Sequence, residues 1–211
     1  MIRLHAVWLA TLLTFSGSAL AARIEAYVAT PAGSPVADAA VIIEPMPAAP
    51  RARRATATIE QRDRELVPYV TIVQTGTAID FPNRDPFKHH LYSFSKAKSF
   101  EIKLYAGKPS QPVVFDKPGE VALGCNIHDW MEAYVLVVDS PHFAKTGSKG
   151  LALFANVPPG RYRLRLWHPQ QKSELAPRII NVGAAPTRLD LVLDIAPRIV
   201  KPKPPVEADH Y

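Results

Sequence analysis

The sequence predicts an all-β protein, on three observations. Its apolar segments alternate with a period of two, and none sustains the 3.6 period of a helix. The segments are short. Twenty-one prolines and ten glycines punctuate the 211 residues. Short strands broken this often indicate a Greek-key sandwich or barrel.

The first residues read as a targeting segment. Arg3 gives a basic start, an apolar run from Ala6 to Phe15 follows, and Ala19-Leu20-Ala21 ends it with small residues. The run is shorter than the roughly 20 residues of a membrane-spanning helix. A secretory signal over residues 1–22 is therefore expected, with export to an oxidising compartment such as the periplasm. After its cleavage no other apolar run is long enough to span a membrane. Exported thiols usually pair as disulfides, yet the chain has one cysteine. Ligation of a metal would occupy it.

Ile24–Val28 alternates as the first strand, Pro31–Pro35 turns, and Ala40–Ile43 runs apolar. Pro45 to Thr58 is rich in Pro, Ala and Arg and reads as a linker, with Arg51, Arg53 and Arg54 solvated. A second block, residues 57–140, holds strands at Leu66–Val73, Ala78–Phe81, His90–Phe94, Ser99–Leu104, Val113–Phe115, Glu120–Leu123 and Tyr134–Val138. Leu151–Phe154 follows, then the turn Asn156-Val157-Pro158-Pro159-Gly160. Arg161–Trp167 places three arginines on one face and Tyr162, Leu164 and Leu166 on the other, a half-buried strand with a solvated basic face. Arg178–Val182 and Leu189–Ile195 complete the strands. Residues 197–211 form a Pro-rich tail, expected to be extended or disordered.

The net charge of +6 is ordinary for an exported protein and does not select a partner. There is no RNA-binding aromatic signature or recognition helix, which excludes nucleic acid.

The chemistry concentrates in Cys125-Asn126-Ile127-His128-Asp129-Trp130-Met131. Here the only cysteine and one of three methionines meet a histidine in a C-x2-H-x2-M loop. An apolar strand enters the loop and another leaves it. A thiolate and a thioether are soft ligands and select copper over hard cations. One Cys with two His in a near-trigonal plane and a weak axial Met is the ligand set of a blue copper site. A second histidine must come from upstream, and His89-His90 supplies two candidates.

Asp80–Phe94 together with Gly119–Val138 resembles the cupredoxins, the small blue copper electron carriers. The short Cys-to-Met spacing is similar to amicyanin within that family. The resemblance implies one type 1 copper ion held by Cys125, His128, Met131 and either His89 or His90. Counting from Phe81 through the approach Phe81–His89 favours His89. A core aromatic four residues after the ligand would instead pair His90 with Phe94. Both stay open, with His89 preferred. The resemblance also implies that Trp130 lies on a partner-docking rim, with His128 beside it as the electron exit.

Val36–Ile42 and Phe154–Tyr162 resemble the opening and the later "nvpPG.Y" strand of carboxypeptidase-regulatory-like β-sandwiches. The expected layout is a cupredoxin block interrupting a smaller sandwich built from residues 23–50 and 141–196. That layout resembles exported bacterial proteins labelled methylamine utilisation proteins, a label that names no substrate. The function implied is single-electron transfer by a monomer between redox proteins, such as a cytochrome c and a dehydrogenase. The alternative is copper delivery or sensing. The chain has neither the His-x-His pairs of multicopper oxidases nor the second cysteine of a two-copper site, so no enzyme is expected.

Overall fold

The computed structural model describes residues 21–48, 55–203 and 205. The expected signal segment up to residue 20, with Arg51, Arg53 and Arg54, lies outside them. Among the described residues there are seventeen strands and no helix, and no helix is long and apolar enough to cross a membrane. In chain order the strands are β1 Ala22–Ala29, β2 Ala40–Pro45, β3 Thr56–Thr58, β4 Glu60–Arg62, β5 Glu65–Val67, β6 Val70–Gln74, β7 Thr77–Asp80, β8 His89–Phe94 and β9 Ser99–Tyr105. They continue with β10 Val113–Phe115, β11 Gly119–Cys125, β12 Glu132–Val138, β13 His142–Lys145, β14 Leu151–Val157, β15 Gly160–Trp167, β16 Arg178–Val182 and β17 Thr187–Val192.

The strands form open sheets, so the architecture is sandwich and not closed barrel. Sheets β14-β1-β17 and β13-β2-β15-β16 face each other across one apolar core, containing Ile24, Val28, Val41, Ile43, Phe154 and Leu164. Sheet β6-β12-β11-β8-β9 faces the smaller sheet β10-β7-β3 and the hairpin β4-β5 across a second core, containing Ile79, Phe81, Leu91, Phe115, Val121 and Val135. A third cluster, with Ala40, Ile42, Val70, Leu136, Val138 and Trp167, joins the two sandwiches.

This stacking explains the two most apolar strands. On β2, Val41 and Ile43 enter the first core while Ala40 and Ile42 enter the joint. On β12, Val135 and Val137 face the second core while Leu136 and Val138 face the joint. A strand buried on both faces has no polar side to alternate with, so it reads as a continuous apolar run.

Several elements differ from expectation. Leu66–Val73 is two strands, because Pro68 lacks the N–H a continuous ladder would need. β13 pairs with β2, and β3 and β4 occupy part of the expected linker and its border. Phe94, considered as a core aromatic, points outward and is 78% exposed. The residues of β8 that enter the core are His89, Leu91 and Ser93. The tail does not run free over residues 197–203. Arg198 stacks on Tyr69 at 3.6 Å and reaches Glu132, and Lys201 Nζ donates to the Asp129 carbonyl at 3.1 Å.

Candidate metal centre

The period of the strands delivers the first two site residues. On β11, Val121, Leu123 and Cys125 alternate inward, so Cys125 is the last inward side chain before the strand ends. On β8, His89 is the first inward side chain. The two strands pair antiparallel with Cys125 opposite Leu91, which brings His89 to the same end of the core. The Asn126 N–H donates to the His90 carbonyl at 3.0 Å and carries the contact one step into the loop.

The β11–β12 loop then turns back. The Met131 N–H donates to the His128 carbonyl at 2.9 Å, closing the turn that swings His128 under the strand ends. Met131 is buried in the same apolar cluster as Cys125.

The resulting geometry is compact. Cys125 Sγ lies 3.8 Å from His89 Nδ1 and 3.8 Å from His128 Nδ1, and the two Nδ1 atoms are 3.1 Å apart. Metal bonds of about 2.0 Å to nitrogen and about 2.3 Å to sulfur, in a trigonal plane, would separate the nitrogens by about 3.5 Å and each from sulfur by about 3.7 Å. The two observed sulfur–nitrogen separations match these spacings, and the nitrogens lie somewhat closer together. All are shielded, with His89 0%, His128 2% and Cys125 5% exposed. No other group of three or more metal-binding side chains of the His, Cys, Asp and Glu types occurs among the described residues.

His90 takes no part in this convergence. Pleating sends it to the opposite face of β8, where its Nε2 meets Glu101 Oε1 of β9 at 2.8 Å. A register shift between His89 and Leu91 in the β8–β9 ladder sits beside the site, the usual place for a bulge that re-aims a side chain.

Aromatic rings close the pocket. Trp130 lies 5.0 Å from the His128 ring, while Phe87 lies 5.2 Å from His89 and 5.9 Å from His128. Trp130 and Phe87 are half-buried and stand between the imidazoles and solvent. His128 itself is covered, 2% exposed, with the Trp130 ring beside it.

The sequence reading missed the β4–β5 hairpin and Asp85, which brace this end of the core. The Trp130 Nε1–H donates to the Arg64 carbonyl at the hairpin tip at 3.1 Å. Asp63 and Arg64 both have positive φ, 55° and 57°. That conformation costs a non-glycine residue about 1–2 kcal/mol. Asp85 offsets it by accepting the Asp63 N–H at 2.7 Å and the Arg64 N–H at 3.0 Å. Asp85 also meets His89 Nε2 at 2.7 Å. A tight two-residue hairpin turn normally announces itself by Asn-Gly or Asp-Gly, and Asp63-Arg64 carries no such glycine. The one available signal was Asn83-Arg84-Asp85, an Asx-turn pattern in which Asn83 Oδ1 accepts the Asp85 N–H at 2.9 Å. Asn83 Nδ2 also braces the carbonyls of Phe87 and Tyr105. Burial raises the Tyr105 phenol well above its ordinary value, and its O–H donates to the Phe81 carbonyl at 2.9 Å.

No family model and no curated protein matches the chain. Among solved structures it is similar to a purple cupredoxin from Nitrosopumilus maritimus, at 20% identity over 39% of this chain and 99% of that one, with a TM-score of 0.35. It is also similar to amicyanin from Paracoccus versutus, at 12% identity over 46% of this chain and 92% of that one, TM-score 0.33. A Cu-containing nitrite reductase from Thermus scotoductus matches at 21% identity over 54% of this chain but only 28% of its own, TM-score 0.37. The likeness to cupredoxins is one of fold. The chemistry of the site rests on its own side chains.

Proposed function

We propose that this chain is a periplasmic electron carrier of the type 1 copper class. The observation that carries the reading is the convergence of Cys125 Sγ, His89 Nδ1 and His128 Nδ1 in a buried, ring-sealed pocket, with Met131 in the same core. Copper bound there would supply a one-electron Cu(II)/Cu(I) couple. A thiolate beside two imidazoles suits copper in both states. The protein contributes rigidity: Cys125 and His89 sit on paired strands, and hydrogen bonds hold the loop between them. Ligands that are fixed in this way move little when the charge changes, which keeps transfer fast.

The burial of all three converging donors favours electron carriage over the alternatives. Delivery of copper requires ligand exchange with a partner, and catalysis requires a substrate to reach the metal. Electrons need neither, since they cross a packed ring. With His128 covered, the path to a docked redox protein runs over the edge of Trp130. The partners would be a cytochrome c or a dehydrogenase, met by a monomer.

The test is the visible spectrum of the copper-loaded protein. An intense thiolate-to-copper band, lost in Cys125→Ser, is the expected result. A colourless protein that binds zinc as well as copper overturns the reading.

A further inference from the structure

Asp85 belongs to no ligand set, yet its carboxylate is in contact with one of the converging imidazoles. Its side chain is 6% exposed. Three N–H donors meet it: Asp63 N and Arg64 N from the hairpin tip, and His89 Nε2 at 2.7 Å. An ionised carboxylate has about four acceptor sites and takes all three.

The consequence for His89 is specific. An imidazole whose Nε2–H is held by an anion keeps its lone pair on Nδ1, the atom aimed at Cys125 and His128. A carboxylate behind a ligand imidazole also makes that ligand more basic. Its charge lies in a shielded pocket, where it is screened less than at a surface. The other two hydrogen bonds come from backbone, so the carboxylate stays in place when the metal changes charge.

We propose that Asp85 is a positioning residue for the metal couple. It fixes His89 in the Nε2–H tautomer and favours the more positive, oxidised metal over the reduced one. The proposal rests on the copper reading above. Loss of a partner of this kind typically changes metal affinity by about 10- to 100-fold. Here the loss falls mainly on Cu(II), and a tenfold change in the Cu(II)/Cu(I) affinity ratio equals about 59 mV for a one-electron couple.

The test compares the reduction potentials of the copper-loaded wild type and Asp85→Asn, with thermal unfolding of both metal-free proteins alongside. The expected result is a retained thiolate-to-copper band, a potential raised by the equivalent of about tenfold or more, and restoration towards wild type in Asp85→Glu. A potential unchanged within twofold overturns the proposal while leaving the copper reading intact. A wild type without the thiolate-to-copper band overturns the copper reading itself, and the redox half of the proposal with it. Should Asp85→Asn fail to fold, NMR of the wild-type Cu(I) protein decides. A slowly exchanging His89 Nε2–H supports the tautomer, and a proton on Nδ1 overturns it.

Discussion

The two sandwiches bury their interiors by different chemistry. The core between sheets β14-β1-β17 and β13-β2-β15-β16 is mainly aliphatic, with Phe154 and Tyr162 among its buried side chains and the His142 ring against Tyr162. The core of the other sandwich ends in Cys125, His89 and His128, with Gln61 and Asn83 buried close by. An aliphatic core stabilises by area removed from water, about 25 cal/mol per Å². Buried polar side chains stabilise nothing unless each is satisfied. One sandwich is thus built for stability, while the other gathers Cys125, His89 and His128 at one end of its core.

The sharpest way to break this contrast is at the thiolate. Cys125→Ser should abolish the coloured copper complex and the rise in thermal stability on copper loading, yet leave metal-free unfolding nearly unchanged. A large loss of metal-free stability would mean that Cys125 acts by packing. Truncation in the other core should do the reverse. Ile24→Ala should cost about 2–5 kcal/mol in denaturant unfolding, with the copper spectrum intact. Leu136→Ala removes a buried side chain from the joint and carries a similar expected cost, about 2–5 kcal/mol. If it also shifts the spectrum, the sandwiches are coupled through β12, whose alternate residues face the site-bearing core.

His90→Ala should leave the copper band in place and lose only the contact with Glu101, whereas His89→Ala should lose the band. The smallest effect is a pH dependence in the flanking sandwich. Burial pulls the His168 imidazole below its ordinary value of 6.5, against the opposing pull of Asp38 and of its hydrogen bond to the Ala37 backbone. Above that value the residue is neutral folded and unfolded, so it contributes no pH dependence. As pH falls below it the unfolded chain takes up the proton first, and stability declines. His168→Gln should flatten stability against pH in this window, measured by urea unfolding of the metal-free protein. A curve that keeps its slope would assign it elsewhere, with His142, also pulled down by burial, the next to substitute.

Much of the fold and three of the four candidate ligands were legible because they are local. Alternation along Gly119–Cys125 predicts which side chains turn inward, and a seven-residue loop confines Cys125, His128 and Met131 whatever the rest of the chain does. The choice between His89 and His90 was not legible. A one-residue change of phase exchanges the two faces of a strand, and two counting arguments gave opposite phases. Phe94, exposed, shows that the second count failed. The hairpin over Trp130 was hidden because residues without glycine make its turn, held from outside by Asp85.

By itself the sequence determined the all-β class, the strand period and the soft ligand loop, since each depends on residues within a few positions of one another. Only the tertiary structure decided which histidine meets Cys125 and His128, that the Trp130 and Phe87 rings lie against a buried His128, and that Asp85 stands behind His89. These depend on pairing between strands more than thirty residues apart, such as β8 with β11. Local pattern can set which face a residue takes, but long-range register sets what that face meets.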